Sequence, residues 1–177
     1  MKKSVYFDYA ATTPLDDEVF AAMLPYFQNE FGNPSSIHMY GQAADAAIES
    51  AREICSQILE TKPENVIFTS GGTESDNLAI RGVALLQRKI AGKDEIIISP
   101  VEHHAVSRTA RQLADVFGFV IKILPVDQFG MIDPSDLAET ITKKTAVVSI
   151  VYANNEVGTI NPVAELGKIC RDAEIPF

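Results

Sequence analysis

A chain of 177 residues with 46% hydrophobic and 22% charged residues has the length and balance of one globular domain with a real core. Its net charge of −9 argues against a nucleic-acid backbone as the main partner, because that role needs clustered Lys and Arg. No apolar run approaches the ~20 residues that cross a bilayer, and the basic start Met1-Lys2-Lys3-Ser4 has no secretory apolar core behind it, so the expected location is cytoplasmic, away from any membrane. The two cysteines, Cys55 and Cys170, lie far apart without paired spacing. They suggest neither a disulfide framework nor a zinc site, and a structural role is expected for both, with Cys55 in the core.

In chain order, residues 1–15 read as an extended arm with a Thr-Thr-Pro turn. Asp16 to about Gln28 reads as a helix. Phe31-Gly32-Asn33-Pro34-Ser35-Ser36 is a loop by composition. A long helix is expected from about Gly41 to Glu60, because Ala44, Ala47, Ile48, Ala51, Ile54, Cys55, Ile58 and Leu59 recur at three and four. A strand is expected at 66–69, then a glycine-rich turn, then a helix from about Glu74 to Lys89 with Thr73 and Asp76 as a capping box. Ile96-Ile97-Ile98 reads as a short buried strand, Val106 to Phe117 as a helix and Phe119 to Leu124 as a strand. Asp133 and Pro134 open a further helix as N-cap and first residue. Ala146 to Tyr152 is a β-branched apolar strand, and Pro162 to Ala173 the last helix.

This alternation predicts an α/β fold with right-handed crossovers and a mainly parallel sheet covered by helices on both faces. Such sheets bind ligands beyond the carboxyl ends of their strands. Three polar clusters fall there: Ser70-Gly71-Gly72-Thr73, Pro100-Val101-Glu102-His103-His104 and Ala153-Asn154-Asn155-Glu156. The turn Thr69-Ser70-Gly71-Gly72-Thr73-Glu74-Ser75-Asp76-Asn77 aims backbone N–H groups and a helix N-terminus at one point, which suits a phosphate. It is neither a Walker loop nor a dinucleotide fingerprint, so a different phosphorylated cofactor is expected.

Five motifs carry a family resemblance. Tyr6-Phe7-Asp8-Tyr9-Ala10-Ala11-Thr12-Thr13-Pro14, the 31–36 loop, the 69–77 turn, Glu102-His103-His104-Ala105-Val106 and Asn154-Asn155-Glu156-Val157-Gly158 resemble, in order and over essentially the whole chain, the NifS/IscS-type cysteine desulfurases. Those are pyridoxal-phosphate (PLP) enzymes of the class-V aminotransferases, with the fold-type-I architecture of aspartate aminotransferase. The resemblance implies that residues 1–15 belong with a small domain and 16–177 with an incomplete large PLP-binding domain. It implies that Gly72 and Thr73 bind the cofactor phosphate and that His103 stacks on the pyridine ring and exchanges protons. It places Asn155 at the cofactor's phenolic oxygen and the substrate side, and Asn33 near the active-site entrance, with a turn role as its alternative. His104 is the lesser player, and Asn154 and Glu156 are expected to hold their loop.

The resemblance also implies an L-cysteine substrate, a homodimer, and a sulfur-acceptor protein in iron–sulfur cluster assembly or tRNA thiolation. The family's pyridinium-pairing aspartate, Schiff-base lysine, sulfur-accepting cysteine and carboxylate-binding arginine have no matching context in these 177 residues. Lys143, Lys144 and Lys168 do not fit, nor does either cysteine. The chain is therefore expected to be inactive alone, less stable than its parent, and to end at an unfinished strand with an unpaired edge. Selenocysteine lyase, a small aminotransferase, or a non-catalytic PLP-binding or dimerisation module are the alternatives.

Overall fold

The computed structural model describes residues 4–177, which form two compact units divided in sequence between Phe68 and Thr69. The first unit opens with an extended arm. Helix α1, Asp17–Gln28, starts where Asp16 accepts hydrogen bonds from the amides of Glu18 and Val19. Helix α2, Met39–Ile58, is capped by His38, whose Nδ1 accepts from the Gly41 amide. The 31–36 loop lies against the first turn of α2. A Cβ on Gly32 would stand 2.2 Å from the Tyr40 carbonyl oxygen, and one on Gly41 2.2 Å from that of Ser36. Both glycines are thus required by close backbone approach.

The helical spacing on α2 is as expected, but the stripe is not a core. Ile54, Ile58 and Leu59 are exposed, and only Gly41 and Ser56 are buried on this helix. Cys55, expected in the core, is only half-buried. The strand expected at 66–69 is also absent: Val66 is extended, but the segment joins no ladder among the described residues. An apolar β-branched run becomes a strand only with a neighbour for its N–H and C=O groups.

The second unit contains the sheet. Helix α3, Gly72–Ala91, stops at Gly92, whose φ of +65° supplies the left-handed cap. Strand β1, Glu95–Ile98, helix α4, His104–Phe117, and strand β2, Val120–Ile123, follow. Then come α5, Pro134–Thr140, with Asp133 as N-cap, β3, Thr145–Ser149, and α6, Val163–Asp172. The strand order is β2-β1-β3, all parallel, with Ile98 paired to Ile123 on one side and Ser149 on the other.

β1 lies in the centre, which explains its unbroken Ile96-Ile97-Ile98 run. Successive side chains point to opposite faces. Ile96 and Ile98 pack with Ile80, Ala84, Val106 and Leu113 of α3 and α4. Ile97 packs with Leu137, Leu166 and Cys170 of α5 and α6. Each fully buried leucine of these clusters contributes roughly 1.5–3 kcal/mol. Past α6 the chain returns to the free edge of β3, where the Val148 amide donates to the Pro176 carbonyl at 3.0 Å.

Candidate active site

Parallel pairing of β1 and β3 sets their carboxyl ends side by side, so the segments after Ile98 and Ser149 become neighbours. Glu102, His103 and His104 from the first, and Asn154, Asn155 and Glu156 from the second, line a pocket of about 310 Å³. An adjoining cleft of about 420 Å³ has Thr73, Asn77 and Arg81 of α3 on one wall and His103, His104 and Arg108 of α4 on the other. His103 borders both.

The start of α3 differs from the sequence expectation. Thr73 and Asp76 do not form a capping box; the N-cap is Gly71, which has no side chain to accept from the first-turn amides, while its carbonyl takes the hydroxyls of Thr69 at 3.1 Å and Ser75 at 3.3 Å. Glu74 instead turns back to accept from the Ser70 amide at 2.7 Å and the Ser70 hydroxyl at 2.6 Å. These bonds hold the Glu74 carboxyl below its ordinary pKa, the Ser70 hydroxyl contributing most. Thr73 therefore lies inside the first turn. Its carbonyl accepts from Asn77 Nδ2 at 2.8 Å, and the residue lines the cleft. A Cβ added at Gly71 or Gly72 would meet nothing within 4 Å. An uncapped helix N-terminus, two glycines under open space and a hydroxyl form a set that fits an anion.

His103 is the N-cap of α4. The Ala105 amide donates to its Nδ1 at 3.1 Å, so in the neutral ring the proton sits on Nε2. The local hydrogen bond and exposure of the ring to both cavities coexist. Asn154 holds its loop as expected: its Oδ1 accepts from the amides of Glu156 at 2.9 Å and Val157 at 3.0 Å. Its Nδ2 donates to the Val101 carbonyl at 3.1 Å. That leaves the exposed Asn155 as the loop's free carboxamide in the pocket.

Two residues without a role in the sequence reading organise this rim. Glu102 Oε1 accepts from Ser99 Oγ at 2.5 Å and from the Val151 amide at 2.7 Å. Burial pushes its carboxyl above the ordinary carboxylate range against the pull of those bonds, and the nearby Asp76 adds to the rise. The buried Asn161 accepts from the Ile132 amide at 3.0 Å and donates to the Val151 carbonyl at 2.9 Å. No sequence motif signals either pairing, since the partners are 29 and 49 residues away. Asn33 belongs to the first unit, where its Oδ1 accepts from the Ser35 amide at 3.0 Å and its carbonyl from Ser36 at 2.9 Å, a turn role. Among the described residues no cluster of His, Cys, Asp and Glu could hold a metal ion, and no helix is long and apolar enough to cross a membrane.

The class-V aminotransferase pattern matches residues 5–177. The chain belongs to the class-V aminotransferase family. Within it, the sequence is 52% identical to the cysteine desulfurase IscS of Dictyoglomus turgidum, an alignment covering 100% of this chain and 44% of that protein. It is 47% identical to the cysteine desulfurase IscS of Methanosarcina thermophila over 99% of this chain and 43% of the relative. Among solved structures, a NifS-like protein superposes with a TM-score of 0.90 at 38% identity, covering 98% of this chain and 47% of that one. SspA in complex with cysteine superposes with a TM-score of 0.91 at 36% identity, covering 98% and 49%. The chain thus spans about half the length of the relatives it matches, and its fold is that of the corresponding half of these class-V proteins.

Proposed function

We propose that the whole protein is a PLP-dependent cysteine desulfurase that takes sulfur from L-cysteine, leaving L-alanine and an enzyme persulfide. The observation that carries this reading is the meeting of three elements at one rim: the uncapped start of α3, His103, and Asn155. Membership of the class-V family and likeness to proteins named cysteine desulfurase support the cofactor and substrate class.

When bound, PLP supplies an electron sink for bonds at the α-carbon of an amino acid. Gly72 and Thr73 hold its phosphate with backbone N–H groups and one hydroxyl, helped by the α3 dipole. His103 covers the pyridine ring, and Nε2 is the atom through which it gives or takes a proton, since Nδ1 is occupied by the Ala105 amide. Asn155 offers its carboxamide to the cofactor's phenolic oxygen and the substrate side. Asn33 keeps the turn role that its bonds to the Ser35 and Ser36 amides give it. In this reading residues 1–15 belong with a small domain and 16–177 with the PLP-binding domain. The protein works in the cytoplasm as a homodimer and hands sulfur to an acceptor protein for iron–sulfur cluster assembly or tRNA thiolation. The exposed apolar stripe of α2 supports self-association.

Titration of the 177-residue chain with PLP, followed by cofactor absorbance, tests the site. Thr73→Ala removes one bond to a charged group, about 1.5–3 kcal/mol, so affinity is expected to fall about 10- to 150-fold. His103→Ala removes a stacking contact of about 0.5–1.5 kcal/mol and is expected to cost about 2- to 10-fold. Unchanged affinity in both variants refutes the assignment. Alanine release from L-cysteine by the whole protein tests the reaction.

A further inference from the structure

The two loops that carry His103 and Asn155 are cross-braced. The first brace runs from the Val151 amide to Glu102 Oε1 at 2.7 Å. The second runs in the opposite sense, from Asn154 Nδ2 to the Val101 carbonyl at 3.1 Å. Glu102 also takes the hydroxyl of Ser99, itself 1% exposed, on the same oxygen at 2.5 Å, which fixes the carboxylate on its own loop. Each brace ends one residue from a candidate site residue: Glu102 precedes His103, and Asn154 precedes Asn155. His103 is pinned from its other side by the Ala105 amide at 3.1 Å. The imidazole thus stands on braced backbone with its Nδ1 bonded, and its place opposite Asn155 depends on the spacing that the two braces set.

From this geometry we infer that Glu102 is a positioning residue: its carboxylate clamps the loop after β1 to the loop after β3 and so sets His103 against Asn155 across the pocket. The inference rests on the functional reading above for the importance of that spacing, but the clamp itself does not depend on any ligand. A half-buried carboxylate here costs desolvation, as its raised pKa records. An apolar residue would fill the volume without that cost, yet would leave the Val151 amide and the Ser99 hydroxyl without acceptors. Glutamine keeps a carbonyl oxygen at the same reach and satisfies both donors. Alanine satisfies neither.

The test compares the 177-residue chain with Glu102→Gln and Glu102→Ala. Without ligand, the ¹⁵N imidazole signals of His103, the side-chain amide of Asn155 and the exchange of the Val151 amide are recorded. Glu102→Gln is expected to keep all three near their native values. Glu102→Ala is expected to speed Val151 exchange at least about tenfold, the cost of one lost bond of about 1.4 kcal/mol, and to move the His103 and Asn155 signals together. His103 and Asn155 signals that stay in place in Glu102→Ala overturn the inference.

PLP affinity then separates positioning from general loosening. Glu102→Ala is expected to weaken PLP several-fold in the native background, but less than twofold when His103→Ala is already present. Fully multiplicative effects overturn the inference, because the pairing of His103 with Asn155 that the clamp sets is already lost once the ring is gone. Should the native chain fail to bind PLP, the proposed cofactor site falls, while the ligand-free signals still decide the clamp.

Discussion

Asn161→Ala perturbs the second unit through one buried side chain. Asn161 is 2% exposed and stands between the Ile132 amide, 3.0 Å from its Oδ1, and the Val151 carbonyl, 2.9 Å from its Nδ2. Ile132 is 1% exposed, so water does not replace the lost acceptor without an opening. Truncation removes both bonds and leaves a buried donor and a partly buried acceptor unpaired. At about 1–3 kcal/mol for each group, the expected loss is about 2–6 kcal/mol. That is a large part of the 5–15 kcal/mol by which a typical domain is stable.

Urea unfolding followed by far-UV circular dichroism measures the loss. With a slope of about 2 kcal/mol per molar, a loss near 3 kcal/mol moves the midpoint down by about 1.5 M. Asn161→Asp, which keeps Oδ1 for Ile132 but loses the donor to Val151 and buries a charge, is expected to be no better than alanine. A shift under about 0.25 M for Asn161→Ala, equal to about 0.5 kcal/mol at that slope, refutes the reasoning. It would mean that the two backbone groups find other partners. Because Asn161 fastens Val151, where Glu102 also attaches, the same variant is expected to loosen the Asn155 loop.

Cys170 is fully buried and its thiol is pushed up to about 11 by burial, so at neutral pH it is expected to resist thiol reagents until the chain unfolds, while the half-buried Cys55 reacts first. Mass spectrometry after timed labelling checks the order, and Cys170 modified ahead of Cys55 in the folded chain counts against the packing. The raised pKa of Glu102, due first to burial, means that the fold holds this proton to higher pH than the unfolded chain does. Its contribution to stability is full below the unfolded value and is lost as pH rises through the folded one. Glu102→Gln removes that dependence. The stability difference between the glutamine variant and the native chain should grow in the variant's favour from acid to neutral pH, and a constant difference in urea titrations disproves it.

Apart from the strand expected at 66–69, the element types and their order were legible because the signals are local. Asp16 and Asp133 mark helix starts through short-range bonds, and the isoleucine run of β1 announces a strand buried on both faces. The alternation of strand and helix, with polar clusters after the strands, pointed to the rim where His103 and Asn155 meet, whereas the α3 turn was placed there behind a strand at 66–69 that the structure does not form. Other features depended on partners distant in the chain. Val66–Thr69 has strand composition but no ladder among the described residues, and the α2 stripe has helical period but stays largely exposed. Periodicity reports a face, whereas burial needs a second surface. The start of α3 shifted to Gly71 because Glu74 bonds back to Ser70, a choice among several short polar contacts that sequence leaves open. The strand order β2-β1-β3, the clamp from Glu102 to Val151 and the bridge through Asn161 were decided by tertiary structure alone, since each joins groups tens of residues apart whose meeting depends on how parallel strands are laid side by side.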